Sequence, residues 1–116
     1  MNENDLADWD VPKQDIARLH SATNKDGVAY KKAIVPLTAE NVVTTEGTKL
    51  GYKGSYINYY VANTVVLVPN YNDINDAAAN AMIQALYPNR TVVGIDVRNL
   101  YENGGMVHCV TQQQPY

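Results

Sequence analysis

Phenylalanine is absent from this 116-residue sequence, tryptophan and cysteine occur once each, and histidine occurs twice. One cysteine excludes an intramolecular disulfide framework and fits a reducing, cytosolic setting. One cysteine and two histidines, far apart in sequence, lack any zinc-ligand spacing. No apolar run approaches the roughly 20 residues that cross a bilayer. The start MNENDLADWD is acidic and polar, unlike a secretory signal or a transit peptide. Basic charge is sparse as well. Nine Lys and Arg against twelve Asp and Glu give a net charge of -3. No basic cluster exceeds the pair Lys31-Lys32, which argues against a nucleic-acid or anionic-membrane footprint. An apolar share of 46% without long charge blocks excludes a disordered chain. These absences leave one acidic α/β-sized domain and no function.

What is present organises the chain. Asp10 can cap a helix beginning near Pro12, whose Ile16, Leu19 and Thr23 share a face with His20 at its edge. The turn formers Asn24-Lys25-Asp26-Gly27 stop it. Ala29 to Leu37 reads as a strand ending at an edge, and residues 38–54 read as a long polar loop. Tyr56–Val61 and Thr64–Val68 read as a hairpin around Ala62-Asn63, with asparagine suited to positive φ and Val65–Val68 covered on both faces. A helix over Asp76–Leu86, capped by Asp73 or Asn75, precedes a buried strand at Thr91–Asp96. A helical turn at Arg98–Tyr101 leads through Asn103-Gly104-Gly105 to a strand at Met106–Thr111. The central ββαβ unit is complete and the ends look like partial copies of it, as in a repeat architecture that has been cut.

Few residues invite chemistry. Cys109 reads two ways, as a buried inert thiol or as a nucleophile with a lowered pKa. On a strand, His108 and Cys109 diverge to opposite faces, so His108 reads as structural. Gly104-Gly105 is too short for a phosphate cradle, and Asp73 and Asp76 read as caps. Tyr56, Tyr59 and Tyr60 read as a packed sheet surface with hydroxyls at its margin. The tail Gln112–Tyr116 reads as a frayed terminus.

The ending GGMVHCVTQQQP (Gly104 to Pro115) resembles the C-terminal signature of agmatine deiminases, within the bacterial-type peptidylarginine deiminase family. SYINYYVANTVVLVPNYNDINDAAA (Ser55 to Ala79) resembles the preceding family block, and DIARLHSATNKDG (Asp15 to Gly27) an earlier helix and turn. The resemblance implies a pentein-type fold, a pseudo-fivefold α/β propeller of ββαβ units. Residues 1–116 would form its C-terminal segment, with one whole blade and parts of two neighbours. It implies that Cys109 is the nucleophile and that Gly104 and Gly105 are the substrate-side glycines of the turn presenting it. Asn103 and Met106 stand where the family usually has glycine and asparagine.

The implied reaction turns agmatine into N-carbamoylputrescine and ammonia through an amidino-cysteine, in the cytoplasm and without cofactor or metal. The family's His-x-Asp strand and guanidinium-gripping carboxylates lie upstream of every block matched, and neither His20 nor His108 has that context. The segment alone is therefore expected to be inactive. It is expected to depend on the missing part of the propeller or to form a homo-oligomer. Two alternatives stay open: a peptidyl-arginine deiminase, or a truncated non-catalytic paralogue acting in assembly.

Overall fold

The computed structural model describes residues 11–115. The Asp10 cap, Trp9 and the last tyrosine lie outside them. The chain divides into two compact units, with the boundary between Ile34 and Val35.

In the first unit, helix α1 (Lys13–Ser21) follows Pro12, whose fixed φ of -59° suits a helix start. No α1 residue is buried, and Leu19 and His20 are exposed. Asn24 then builds the turn: its side-chain oxygen accepts from the backbone N–H of Asp26 and Val28, at 2.9 and 3.0 Å. An isolated bridge pairs Thr23 with Ala29. The strand expected over Ala29–Leu37 does not form. Its first residue, Ala29, sits in the isolated bridge and its last, Leu37, opens the next strand, while the residues between them belong to no ladder among the described strands, and a ladder is what stabilises a strand backbone.

The second unit opens with β1 (Leu37–Val43) and β2 (Lys49–Ser55), an antiparallel pair where a loop was expected. Register shifts flank Asn41, so the burial of β1 never alternates cleanly. That is why a period-2 reading misses it. The turn closes through Thr44, whose N–H donates to the Thr48 carbonyl and whose hydroxyl accepts from the Thr48 N–H.

Three further strands, β3 (Tyr60–Val61), β4 (Val65–Asn70) and β5 (Thr91–Asp96), form a sheet in the order β3-β4-β5. β3 is antiparallel to β4, and β5 is parallel to it with Val66 opposite Val92. Helix α2 (Asp76–Leu86) supplies the crossover that a parallel pair requires. Its Ala79 and Ile83, one turn apart, are fully buried, as are Val66 and Val68 on β4. Asn75 makes no side-chain cap. Its amide instead donates to the Leu37 carbonyl, while Asp73 accepts from the N–H groups of Ala39, Glu40 and Asn75.

Three expectations need correction here. The β3–β4 turn is centred on Asn63-Thr64, since Ala62 N–H donates to Val65 O, and Asn72, not Asn63, holds positive φ. Over Val65–Val68, β4 alternates between half-buried and buried positions and is not covered on both faces. β5 is an exposed edge: Val93 and Ile95 are each 38% exposed.

Tyrosine takes the place of phenylalanine in the core. Tyr56 is fully buried, not at a sheet margin, and its hydroxyl donates to Asp76 at 2.8 Å. Edge-to-face contacts run from Tyr56 to Tyr71, Tyr101 and Tyr52, with centroids 5.6, 5.3 and 5.2 Å apart. Burial, the Asp76 hydrogen bond and nearby negative charge push the Tyr56 pKa far up, and burial does the same for Tyr71.

Candidate active site

Cys109 is delivered by a chain of local devices. Helix α3 (Arg98–Glu102) follows buried Val97 and is tied to β2 by the Tyr101 hydroxyl, which donates to the Lys53 carbonyl at 2.8 Å. The helix stops at Asn103, and Gly104 follows with φ +80° while its N–H donates to Tyr101 O. A left-handed residue just past a helix end favours glycine, because a Cβ there meets the following carbonyl. Met106 and buried Val107 pack into the core, with the Met106 sulfur against the Tyr71 hydroxyl.

The strand expected over Met106–Thr111 is absent. His108–Val110 form a single 3-10 turn, closed by Thr111, whose N–H and hydroxyl both donate to the His108 carbonyl. The thiol is exposed rather than buried. The opposed-face argument for His108 and Cys109 therefore loses its premise, although His108 still gives the thiol no side-chain hydrogen bond.

The partner of the thiol is Asn58. Its amide nitrogen lies 3.4 Å from Sγ and its oxygen 3.7 Å away. The same oxygen accepts the His108 backbone N–H at 2.9 Å, and the Asn58 carbonyl accepts it at 3.3 Å. These bonds also explain why β3 starts at Tyr60: the Asn58 carbonyl turns to the cysteine segment and not to a ladder. A backbone hydrogen bond from Met106, then the Asn58 amide, hold the thiol below its ordinary pKa.

The expected site residues are partly brought together. A side chain built on Gly105 would sit 3.9 Å from the Cys109 Cβ, whereas Gly104 faces open space. A cleft of 370 Å³ lies elsewhere, between β1 and the Tyr71–Ile74 loop, and Cys109 does not line it. Among the described residues, no carboxylate or imidazole is hydrogen-bonded to Cys109, and no cluster of three metal-ligating side chains occurs. Asn58 had no signal in local spacing, because it lies 51 positions from its partner.

The model of the Porphyromonas-type peptidyl-arginine deiminase family matches residues 1–115. The chain belongs to this family. A candidate agmatine deiminase of Streptomyces avermitilis is 37% identical over 108 residues, covering 93% of the chain and 30% of that relative. One from Lactococcus lactis is 36% identical over 111 residues, covering 84% of the chain and 30% of the relative. Among solved structures, the agmatine deiminase of Enterococcus faecalis superposes with a TM-score of 0.78 at 26% identity, covering 99% of this chain and 35% of that one. The chain thus spans about a third of the length of these family members. Their likeness supports a mixed α/β deiminase fold, of which the described residues carry two small sheets. Among the described residues no helix is long and apolar enough to cross a membrane.

Proposed function

We propose that Cys109 is the nucleophile of a guanidine hydrolase acting on agmatine, and that this chain supplies the nucleophile-bearing part of a pentein propeller. The observation that carries the reading is an exposed thiol, held toward the thiolate by Met106 and Asn58, in a chain of the deiminase family. The thiolate adds to the guanidinium carbon, forming a C–S bond and a tetrahedral adduct. Collapse with proton transfer releases ammonia and leaves an amidino-cysteine. Water then adds to the same carbon, the C–S bond breaks, and N-carbamoylputrescine departs as the thiolate returns.

Gly105 keeps the space beside the Cys109 Cβ free of a side chain, which suits a flat guanidinium, and Gly104 shapes the turn that presents the thiol. The proton shuttle and the carboxylates that pair with the cation come from outside these 116 residues. The reaction calls on no metal or cofactor. A reducing compartment, the cytoplasm, keeps the single thiol active. The exposed edge strand β5 fits a chain that completes its sheet against further propeller residues or a second copy.

Agmatine is favoured by the names of the relatives, and a peptidyl-arginine substrate by the description of the family. Two assays test these readings. The purified chain given agmatine should release no ammonia, and Cys109-dependent turnover by the chain alone overturns the incomplete catalytic set. The chain grafted in place of the matching third of the Enterococcus faecalis enzyme should turn over agmatine and lose it on Cys109→Ser. Equal or faster turnover of a blocked arginyl peptide by that graft rejects the agmatine assignment.

A further inference from the structure

We infer that β5 is a self-pairing edge, through which two copies of this chain join their sheets about a two-fold axis. The inference goes beyond the reading of Cys109 and does not rest on it. The ladder decides which backbone groups of β5 are free. Thr91 N–H donates to Thr64 O and Val97 N–H to Asn70 O, at 2.9 and 3.0 Å. In a parallel ladder such bonds fall on alternate residues, so Thr91, Val93 and Ile95 turn their backbone groups to β4. Val92, Gly94 and Asp96 turn theirs outward, where no strand follows in the order β3-β4-β5. Gln84 reaches from α2 to accept the Val92 N–H at 3.0 Å. Among the described residues, the Gly94 and Asp96 N–H groups have no such side-chain cap.

Side chains alternate in the same way. A Cβ on Gly94 would run into Asn70 and Asn80, so Gly94 faces α2. Val93 and Ile95, each 38% exposed, therefore stand on the open face. Two copies set antiparallel with Gly94 against Gly94 exchange N–H···O=C bonds between the glycines. They also bond each Asp96 N–H to the Val92 carbonyl of the other copy. That register places Val93 opposite Ile95 of the second copy on either side of the axis, so both exposed apolar side chains gain cover. Neighbouring registers do worse. A shift toward Val92 meets the N–H that Gln84 holds, and a shift toward Asp96 brings two carboxylates together. The α2 flank over this edge is low, because Ala77 and Ala81 stand exposed one turn before Asn80 and Gln84. The strand sequence TVVGID also lacks the lysine or proline that blunts an edge.

Sedimentation of the 116-residue chain over a concentration series tests this. Wild type should run at twice the chain mass, and a monomer throughout overturns the inference and leaves the edge to further propeller residues. Val93→Lys should weaken the dimer at least about tenfold, because it sets a charge against an apolar partner. Adding Ile95→Glu should restore the dimer, since opposite charges then face each other on both sides of the axis. Circular dichroism shows which variants are folded, and Ile95→Lys decides if Val93→Lys does not fold. A dimer that the folded single variants leave unchanged overturns the inference, and so does a folded double variant that stays monomeric. This inference and the deiminase reading fail separately. An inactive graft beside a Val93-sensitive dimer sinks only the latter, and an active graft beside a monomeric chain sinks only the former.

Discussion

The β4–α2–β5 layer and the Cys109 turn are held by opposite means. The layer rests on a continuous parallel ladder and on side chains with no exposed surface, Val66, Val68, Ala79 and Ile83. The turn has no ladder, its three residues are exposed, and it hangs on Val107 in the core and Asn58 at the tip. Non-directional burial makes a rigid platform, whereas a few directional bonds aim one reactive atom. A stability change in the layer should therefore leave the thiol chemistry alone, and a change in the turn should do the reverse.

Four substitutions test that separation. Ile83→Ala should have the largest effect, a loss of about 2–5 kcal/mol in urea unfolding, because it opens a cavity at a residue with no exposed surface. Below the unfolding transition the rate–pH profile of Cys109 alkylation by iodoacetamide should be unchanged, and a shifted profile would break the comparison. Tyr56→Phe should follow, at about 1.5–3 kcal/mol, since a buried hydroxyl donates to the Asp76 carboxylate.

Tyr56 also carries a pH signature. Its folded pKa is raised by burial and by Asp76, and that of Tyr59 is pushed to about 12 by its hydrogen bond to Tyr87 and by burial. A raised pKa gives stability that is fully present below about pH 10 and is lost as pH rises toward the folded values. Thermal melts of wild type should fall through that window, and those of Tyr56→Phe should fall less.

Gly104→Ala should cost less stability, about 1–2 kcal/mol, for a Cβ at φ +80°. It should nevertheless change the alkylation rate of Cys109 more than Ile83→Ala does, because it re-aims the segment that delivers the thiol. Equal effects of the two on alkylation would dissolve the distinction between platform and turn. Asp96→Asn should matter least, below about 1 kcal/mol, because the Asp96 side chain is about half exposed, at 48%. The Arg98 hydrogen bond lowers the Asp96 pKa, so its small contribution is present above about pH 4 and lost as pH falls through the folded value.

Legibility followed the same division. Helix α2 was readable to its ends, because an alanine-rich run between turn formers and Pro88 signals a helix locally. β4 and β5 were readable as apolar runs, yet the exposure of β5 was not, since cover is supplied by other parts of a fold. β1 and β2 were missed because a bulged register hides alternation. The cysteine segment was misread as a strand because Val107 and Val110 look strand-like, while the Gly104 stop and the Asn58 bonds set a turn.

The sequence by itself determined the family, the single thiol and the glycine that ends α3, because each is a matter of residue identity and near neighbours. Only the tertiary structure decided that this thiol is exposed and that Asn58, 51 residues away, is its partner. A hydrogen bond between distant positions depends on where the whole chain goes, and no local pattern encodes it.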